Sequence, residues 1–277
     1  MSKTPALVGV NWIKSNLDNP KVVILDASWY SPDVDNDALM EYREAHIPGA
    51  LFFDIAGVSD QNTDLPNMLP SLTQFEQQIS AMGIDNDDYV IAYDSQGVFS
   101  AARCWWMFRY FGHDRVSVLD GGLPAWLAQN LPVKTGNEKP KKTGKFYGKV
   151  RRDLLREISD MEQNVETKSA QVIDLRSRER FEGTMAEPWP GSGRGHIPGS
   201  VNLPYKTLLR PNGSMKGVEE LQIKINDMRL KMDKPIVASC GSGISACVAA
   251  LAFYTMGKED VAVYDGSWAE WGRKHKK

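Results

Sequence analysis

The sequence predicts an α/β fold of two tandem domains, each a parallel β-sheet flanked by helices on both faces. Two observations lead to it. Short apolar, β-branched runs alternate with helix-length segments, the pattern of parallel strands covered on both sides. Three motifs of the first half also return in the same order in the second. AHIPGA at 45–50 recurs as GHIPGS at 195–200, VIAYDSQGVFSA at 90–101 as IVASCGSGISA at 236–246, and VSVLDGGLPAW at 116–126 as VAVYDGSWAEW at 261–271. The offset drifts from 150 at His46 and His196 to 146 at Asp94 and Cys240, then 145 at Asp120 and Asp265. Kept order with a drifting offset is the mark of a duplicated domain, and the period is far too long for a solenoid unit.

Buried strands are expected at 22–25, 90–93 and 116–119, with counterparts at 172–175, 236–238 and 261–264; helices are expected at 101–110 and 246–256. Residues 134–149 carry Lys, Gly, Pro and Thr without periodicity and read as a linker. The expected domains are therefore 1–133 and 150–277.

The 277 residues suffice for two domains of ordinary size. A net charge of -2 gives no field to attract nucleic acid or anionic membrane, so neither is an expected partner. The basic tail at 272–277 reads as a solvated terminus. No apolar run is long enough to span a bilayer, and Asn11 and Lys14 interrupt the apolar start at Ala6, Leu7 and Val8, so no signal peptide is read. Three cysteines, Cys104, Cys240 and Cys247, are too few and odd in number for a disulfide framework, and a reducing cytoplasm is the expected compartment. No Cys/His cluster has zinc spacing, so neither metal nor cofactor is expected.

Cys240 follows a predicted strand and precedes a loop and a helix, at the carboxyl end of the strand, where α/β sheets bind ligands. Gly241 and Gly243 let the backbone curl so that N–H groups turn inward. The helix starting near Ala246 adds its positive end, and both effects favour a thiolate or persulfide anion. A lone cysteine is usually a small core residue; here the glycines, the strand end and the helix start favour a nucleophile. Cys247 and Cys104 lie inside apolar helices and read as core. Asp94 stands where the first domain would need a cysteine, so that domain reads as catalytically silent.

The HIPG, FSAAR, WWMFR, LDGG, CGSG and YDGSW runs together resemble the tandem-domain rhodanese family of thiosulfate and 3-mercaptopyruvate sulfurtransferases, over nearly the whole length. The resemblance implies two rhodanese-like domains, the second catalytic through a Cys240 persulfide. The loop Cys240, Gly241, Ser242, Gly243, Ile244, Ser245 resembles the neutral CGSGVTA of the mercaptopyruvate branch more than the basic CRKGVTA of thiosulfate rhodaneses.

Arg180, which composition alone would read as a surface ion-pair partner of Glu179 or Glu182, matches a substrate-binding arginine in the family. A second family arginine falls on Trp189, which is read as packing over the pocket mouth, and Arg194 is the nearest replacement. Ser242, His46 and Asp37 match residues proposed in the family to assist proton movement; the bland reading of His46 is a packing role shared with His196. The resemblance further implies a small-molecule sulfur donor, a small thiol, thioredoxin or cyanide as acceptor, and a monomer.

Three rival readings compete with this one. A phosphatase of this fold needs an arginine six residues after the cysteine, where this chain has Ala246. Thiosulfate:cyanide transfer is favoured by the missing second arginine and disfavoured by the neutral loop. A non-enzymatic persulfide carrier or scaffold is disfavoured by the intact cysteine loop.

Overall fold

The computed structural model describes residues 4–275, so the last two lysines of the basic tail lie outside the described residues. The chain forms two compact units. One comprises the described residues up to Gln61 with Leu69–Arg151 and Pro211–Met215; the other comprises Asn62–Met68, Arg152–Arg210 and the described residues from Lys216 onward. Two short segments are thus exchanged relative to the expected boundaries. Residues 134–149 belong to the first unit, where Phe146 is buried and Gly144 N donates to Ser80 O at 2.8 Å.

The first unit holds β1 (Leu7–Val8), β2 (Val22–Asp26), β3 (Leu51–Phe52), β4 (Tyr89–Tyr93) and β5 (Val116–Leu119) in the order β1-β5-β4-β2-β3. Every pair is parallel. The Val and Ile content of β2, β4 and β5 suits strands covered on both faces. The helix Ala101–Tyr110 is buried at every position. Its two arginines are accommodated by aromatic faces: Arg103 lies 4.8 Å over Trp106 and Arg109 4.8 Å over Trp105.

The second unit repeats this plan with β6 (Leu155–Arg156), β7 (Gln171–Asp174), β8 (Val201–Asn202), β9 (Ile236–Ser239) and β10 (Ala262–Tyr264), ordered β6-β10-β9-β7-β8 and parallel throughout. The helix Ala246–Thr255 is apolar on every side and buried from Ala246 to Tyr254, as a helix covered on all sides must be. No helix among the described residues is long and apolar enough to cross a membrane. The chain therefore has the α/β architecture that the repeat predicts, with β4 ending one residue before Asp94 and β9 one residue before Cys240.

Candidate active site

The loop after β9 carries the cysteine. Gly243 has φ +78°, and Gly97, three residues after Asp94, has φ +115°, so both loops curl through a left-handed step open to glycine. The anchoring is also shared. Trp268 N donates to Cys240 O at 3.0 Å, and Leu123 N donates to Asp94 O at 2.9 Å.

The first unit shows what such a loop does with a negative charge. The Asp94 carboxylate accepts from Gln96 N at 2.9 Å, Phe99 N at 2.8 Å and Ala101 N at 2.9 Å. Burial pushes its carboxyl up to about 6, against the pull of those three amides. The loop is thus an anion cup built from main-chain donors.

Cys240 is 1% exposed, on the floor of its loop, and its N–H donates to Ser267 Oγ at 3.1 Å. The helix Ala246–Thr255 begins just beyond, with Ser245 at its N-cap, so its positive end follows the cysteine loop directly. Ile244 is buried beneath the turn. Ser242, 4% exposed, accepts a hydrogen bond from Asn67 Nδ2 at 3.1 Å, leaving the hydroxyl hydrogen for a different acceptor. Asn67 belongs to the Asn62–Met68 segment of the same unit, which sequence proximity assigned to the other half.

Arg180 sits on the short helix Arg178–Glu182, capped by Ser177. A Cβ at position 241 would stand 2.6 Å from Arg180 Nη2 and 3.1 Å from Trp189 Nε1. Arg180 and Trp189 therefore converge on the residue next to the cysteine, and a side chain there would have to displace the Arg180 tip. Arg180 does not act alone. Its Nε lies 3.1 Å from each oxygen of Glu187, and its Nη2 also contacts that carboxylate. The Glu187 side chain is 1% exposed and is held on its other side by Arg176 Nη1 at 2.7 Å. Arg176 in turn grips Asp174, at the end of β7, and lies 4.6 Å over the Trp268 ring. The four side chains Asp174, Arg176, Glu187 and Arg180 form a chain of alternating, balanced charge, buried at the first three and partly exposed at Arg180. Burial works against the charge of Arg176, and Asp174 and Glu187 outweigh it, so its proton is held more tightly than in water.

The other expected residues have the following surroundings within their own units. Arg194 is exposed, with Nη1 3.5 Å from Gly183 O, and lines a cleft of about 730 Å³ with His196, Trp268 and Trp271; Cys240 does not line that cleft. His46 is fully buried in the first unit, stacked 4.3 Å from Tyr42, with Nδ1 2.7 Å from Tyr42 O and Nε2 3.9 Å from Glu138. Asp37 caps the helix Ala38–Glu44, accepting from Leu39 N at 2.9 Å and Met40 N at 3.0 Å. His196 stacks 3.9 Å from Phe181, so both repeat histidines have packing duties in their own units. Cys104 and Cys247 are fully buried, and burial pushes the Cys104 thiol well up.

Glu187, Arg176 and Asn67 were not foreseen. A signal existed for Arg176: the strand-end run is Asp26-Ala27-Ser28 in the first half and Asp174-Leu175-Arg176 in the second, so a neutral partner has become a cation. Nothing local marks Asn67, which reaches Ser242 across 175 positions of sequence.

Residues 9–129 and 157–274 each match the family model of the rhodanese-like domain. The chain is 43% identical over 272 residues to the 3-mercaptopyruvate sulfurtransferase of Homo sapiens, covering 96% of this chain and 91% of the relative. It is 43% identical over 291 residues to thiosulfate/3-mercaptopyruvate sulfurtransferase 2 of Arabidopsis thaliana, covering 98% and 85%. The crystal structure of SseA from Escherichia coli, described as a 3-mercaptopyruvate sulfotransferase with the rhodanese fold, superposes with a TM-score of 0.87 at 37% identity, covering 96% of this chain and 99% of SseA.

Proposed function

Because the chain belongs to the rhodanese-like family in both of its halves and is a sulfurtransferase, we propose that Cys240 takes sulfur from 3-mercaptopyruvate and hands it to a thiol or cyanide. The Cys240 thiolate attacks the thiol sulfur of the donor. An S–S bond forms, the C–S bond breaks, and its electron pair leaves on carbon as pyruvate enolate, which then takes up a proton. Cys240 is left as a persulfide. An acceptor thiolate next attacks the outer sulfur, the S–S pair returns to Cys240, and the acceptor leaves as a persulfide, or as thiocyanate when it is cyanide. The cycle is covalent ping-pong catalysis.

The observation that carries the donor assignment is the convergence of Arg180 and Trp189 on Gly241. It offers one guanidinium and one indole N–H for a single carboxylate beside the sulfur nucleophile. Charge on sulfur is stabilised by the loop amides and the helix end, as the matching amides stabilise Asp94. Ser242 faces the loop as a hydroxyl able to pass a hydrogen bond to the leaving enolate, while Arg194, His46 and Asp37 are given no step. The acceptor in the cell is a small thiol or thioredoxin and the acting form a monomer, in a reducing cytoplasm that would keep the three cysteines as free thiols.

The test is steady-state transfer from 3-mercaptopyruvate and from thiosulfate, side by side. Wild type is expected to prefer 3-mercaptopyruvate, and Cys240→Ser to fold normally and transfer nothing. Substantial turnover by Cys240→Ser would sink the mechanism. A preference for thiosulfate would favour the second reading, thiosulfate:cyanide transfer.

A further inference from the structure

Ser267 opens the helix Ser267–Lys274 and is fully buried. Its φ is +49°, in the left-handed region where a Cβ is crowded by backbone. The first unit takes the equivalent step with glycine. Gly122 has φ +57°, and a Cβ there would collide with the Asp94 carbonyl and stand 2.5 Å from Gly97 O. The next residues, Leu123 and Trp268, anchor the carbonyls of Asp94 and Cys240 in the same way. Thus the fold demands a left-handed step here, glycine makes it without strain beside the aspartate, and serine makes it with strain beside the cysteine.

The Ser267 hydroxyl explains why a side chain persists. Its oxygen accepts from Cys240 N at 3.1 Å, lies 2.8 Å from Tyr264 O and 3.8 Å from Cys240 Sγ. A hydroxyl has one hydrogen, and here it has two acceptors. Beside a neutral thiol the nearer carbonyl takes it. Beside an anionic sulfur, the charge-assisted bond is the stronger one.

We propose that Ser267 is a further catalytic residue, whose hydroxyl turns from Tyr264 O to Cys240 Sγ as negative charge settles on that sulfur. This rests on the reading of Cys240 as the sulfur carrier. The turn matters most in the second half-reaction, when the acceptor takes the outer sulfur and the broken S–S pair returns to Sγ. No proton is transferred; the hydroxyl keeps its hydrogen and only changes partner. The charged groups nearby are Arg180 beside Gly241, Arg176 over Trp268, Asp265 two residues before the serine, and Glu270, which accepts from the Tyr264 hydroxyl at 2.9 Å; none is altered by the variants below.

The experiment follows alkylation of Cys240 by iodoacetamide across pH, read by mass at that residue in the full chain, for wild type, Ser267→Ala and Ser267→Gly. Both variants are expected to move the midpoint of the profile upward by about half a unit, roughly a threefold loss of reactive thiolate at a fixed pH below it. Ser267→Gly, freed of the strained step, is expected to resist denaturant better than Ser267→Ala. An unmoved midpoint in both variants overturns the proposal. So does a Gly variant no more stable than the Ala variant, because the serine would then hold no strain to be retained for chemistry. Neither readout uses a sulfur donor, so the hold of the hydroxyl on the Cys240 thiolate is measured apart from whether the wild type transfers sulfur.

Discussion

Asp94 Oδ2 accepts the backbone N–H of Ala101 at 2.9 Å, so the first amide of a buried helix points at a carboxylate where the second domain places its nucleophile. Even with two further amides on the same group, desolvation wins and the carboxyl rises to about 6. The folded protein therefore holds a proton on Asp94 between roughly pH 4 and 6 that the unfolded chain releases. This contribution to stability is fully present below the unfolded value and is lost as pH rises through 6, on the order of 3 kcal/mol across the window. Asp94→Asn cannot titrate. Urea unfolding at intervals from pH 4 to 8 should show the wild type losing stability relative to Asp94→Asn as pH rises, with the difference flat above about 7. A constant difference across the range would mean that Asp94 is ionised throughout.

His113 has the opposite sign in the same domain. Burial against Phe108 and Phe146 lowers its pKa to about 4, so the folded state resists a proton that the unfolded chain accepts near 6.5. Its stability contribution is present above 6.5 and is lost as pH falls toward 4. His113→Phe should remove that loss and sharpen the Asp94 signature in the same titration. A variant that stays as acid-sensitive as wild type would assign the effect to other groups.

Gly241→Ala tests how tightly Arg180 is held. The added Cβ would stand 2.6 Å from Arg180 Nη2, normally a small matter because the tip of an arginine can swing away. Here Glu187 grips the same guanidinium through Nε and Nη2, so moving the tip means loosening a buried ion pair. The expected outcome is a several-fold rise in KM for 3-mercaptopyruvate with a smaller change in kcat, measured by pyruvate release. Equal losses in both constants would place the damage at the sulfur instead of the donor's carboxylate.

Glu187→Gln separates orientation from charge. The variant keeps the shape but leaves Arg176 and Arg180 sharing one carboxylate fewer, which should cost on the order of 3 kcal/mol of stability. Arg180→Ala instead removes the charge-assisted bond to the donor and should cost roughly 10- to 100-fold in kcat/KM. If Arg180→Ala leaves kcat/KM unchanged while Glu187→Gln still unfolds more easily, the charge chain is architectural only.

The long buried strands and helices were legible because burial on both faces forces a continuous apolar run. The expected helix at 101–110 coincides with Ala101–Tyr110, and strand 116–119 with Val116–Leu119. The edge strands β1, β3, β6 and β8 were not legible, since two residues cannot carry a periodicity. The same distinction governs the site. Cys240, Gly241 and Gly243 stand together in the chain with a strand before and a helix after, so their chemistry is local. Asn67 and Ser267 reach the loop from 175 and 27 residues away, Glu187 acts on it only through Arg180, and contacts set by topology leave no mark in spacing. The segment at 62–68 was placed in the first half by chain order alone, whereas its packing groups it with the second.

Trp189 decides how the donor's carboxylate is read. Its indole nitrogen points at the Gly241 position, which Arg180 also faces, so a carboxylate lying there meets one cation and one neutral donor. An indole N–H gives a single bond of fixed direction, whereas a guanidinium offers a fork and a full charge. Trp189→Phe keeps the ring and removes the N–H, and a several-fold rise in KM for 3-mercaptopyruvate is expected. Trp189→Arg adds charge beside Arg180, which should tighten a dianionic donor more than a monoanionic one. The ratio of kcat/KM for thiosulfate to that for 3-mercaptopyruvate is therefore expected to rise. If Trp189→Phe leaves KM unchanged and Trp189→Arg leaves that ratio unchanged, the indole only shields the loop, and Arg180 alone recognises the donor.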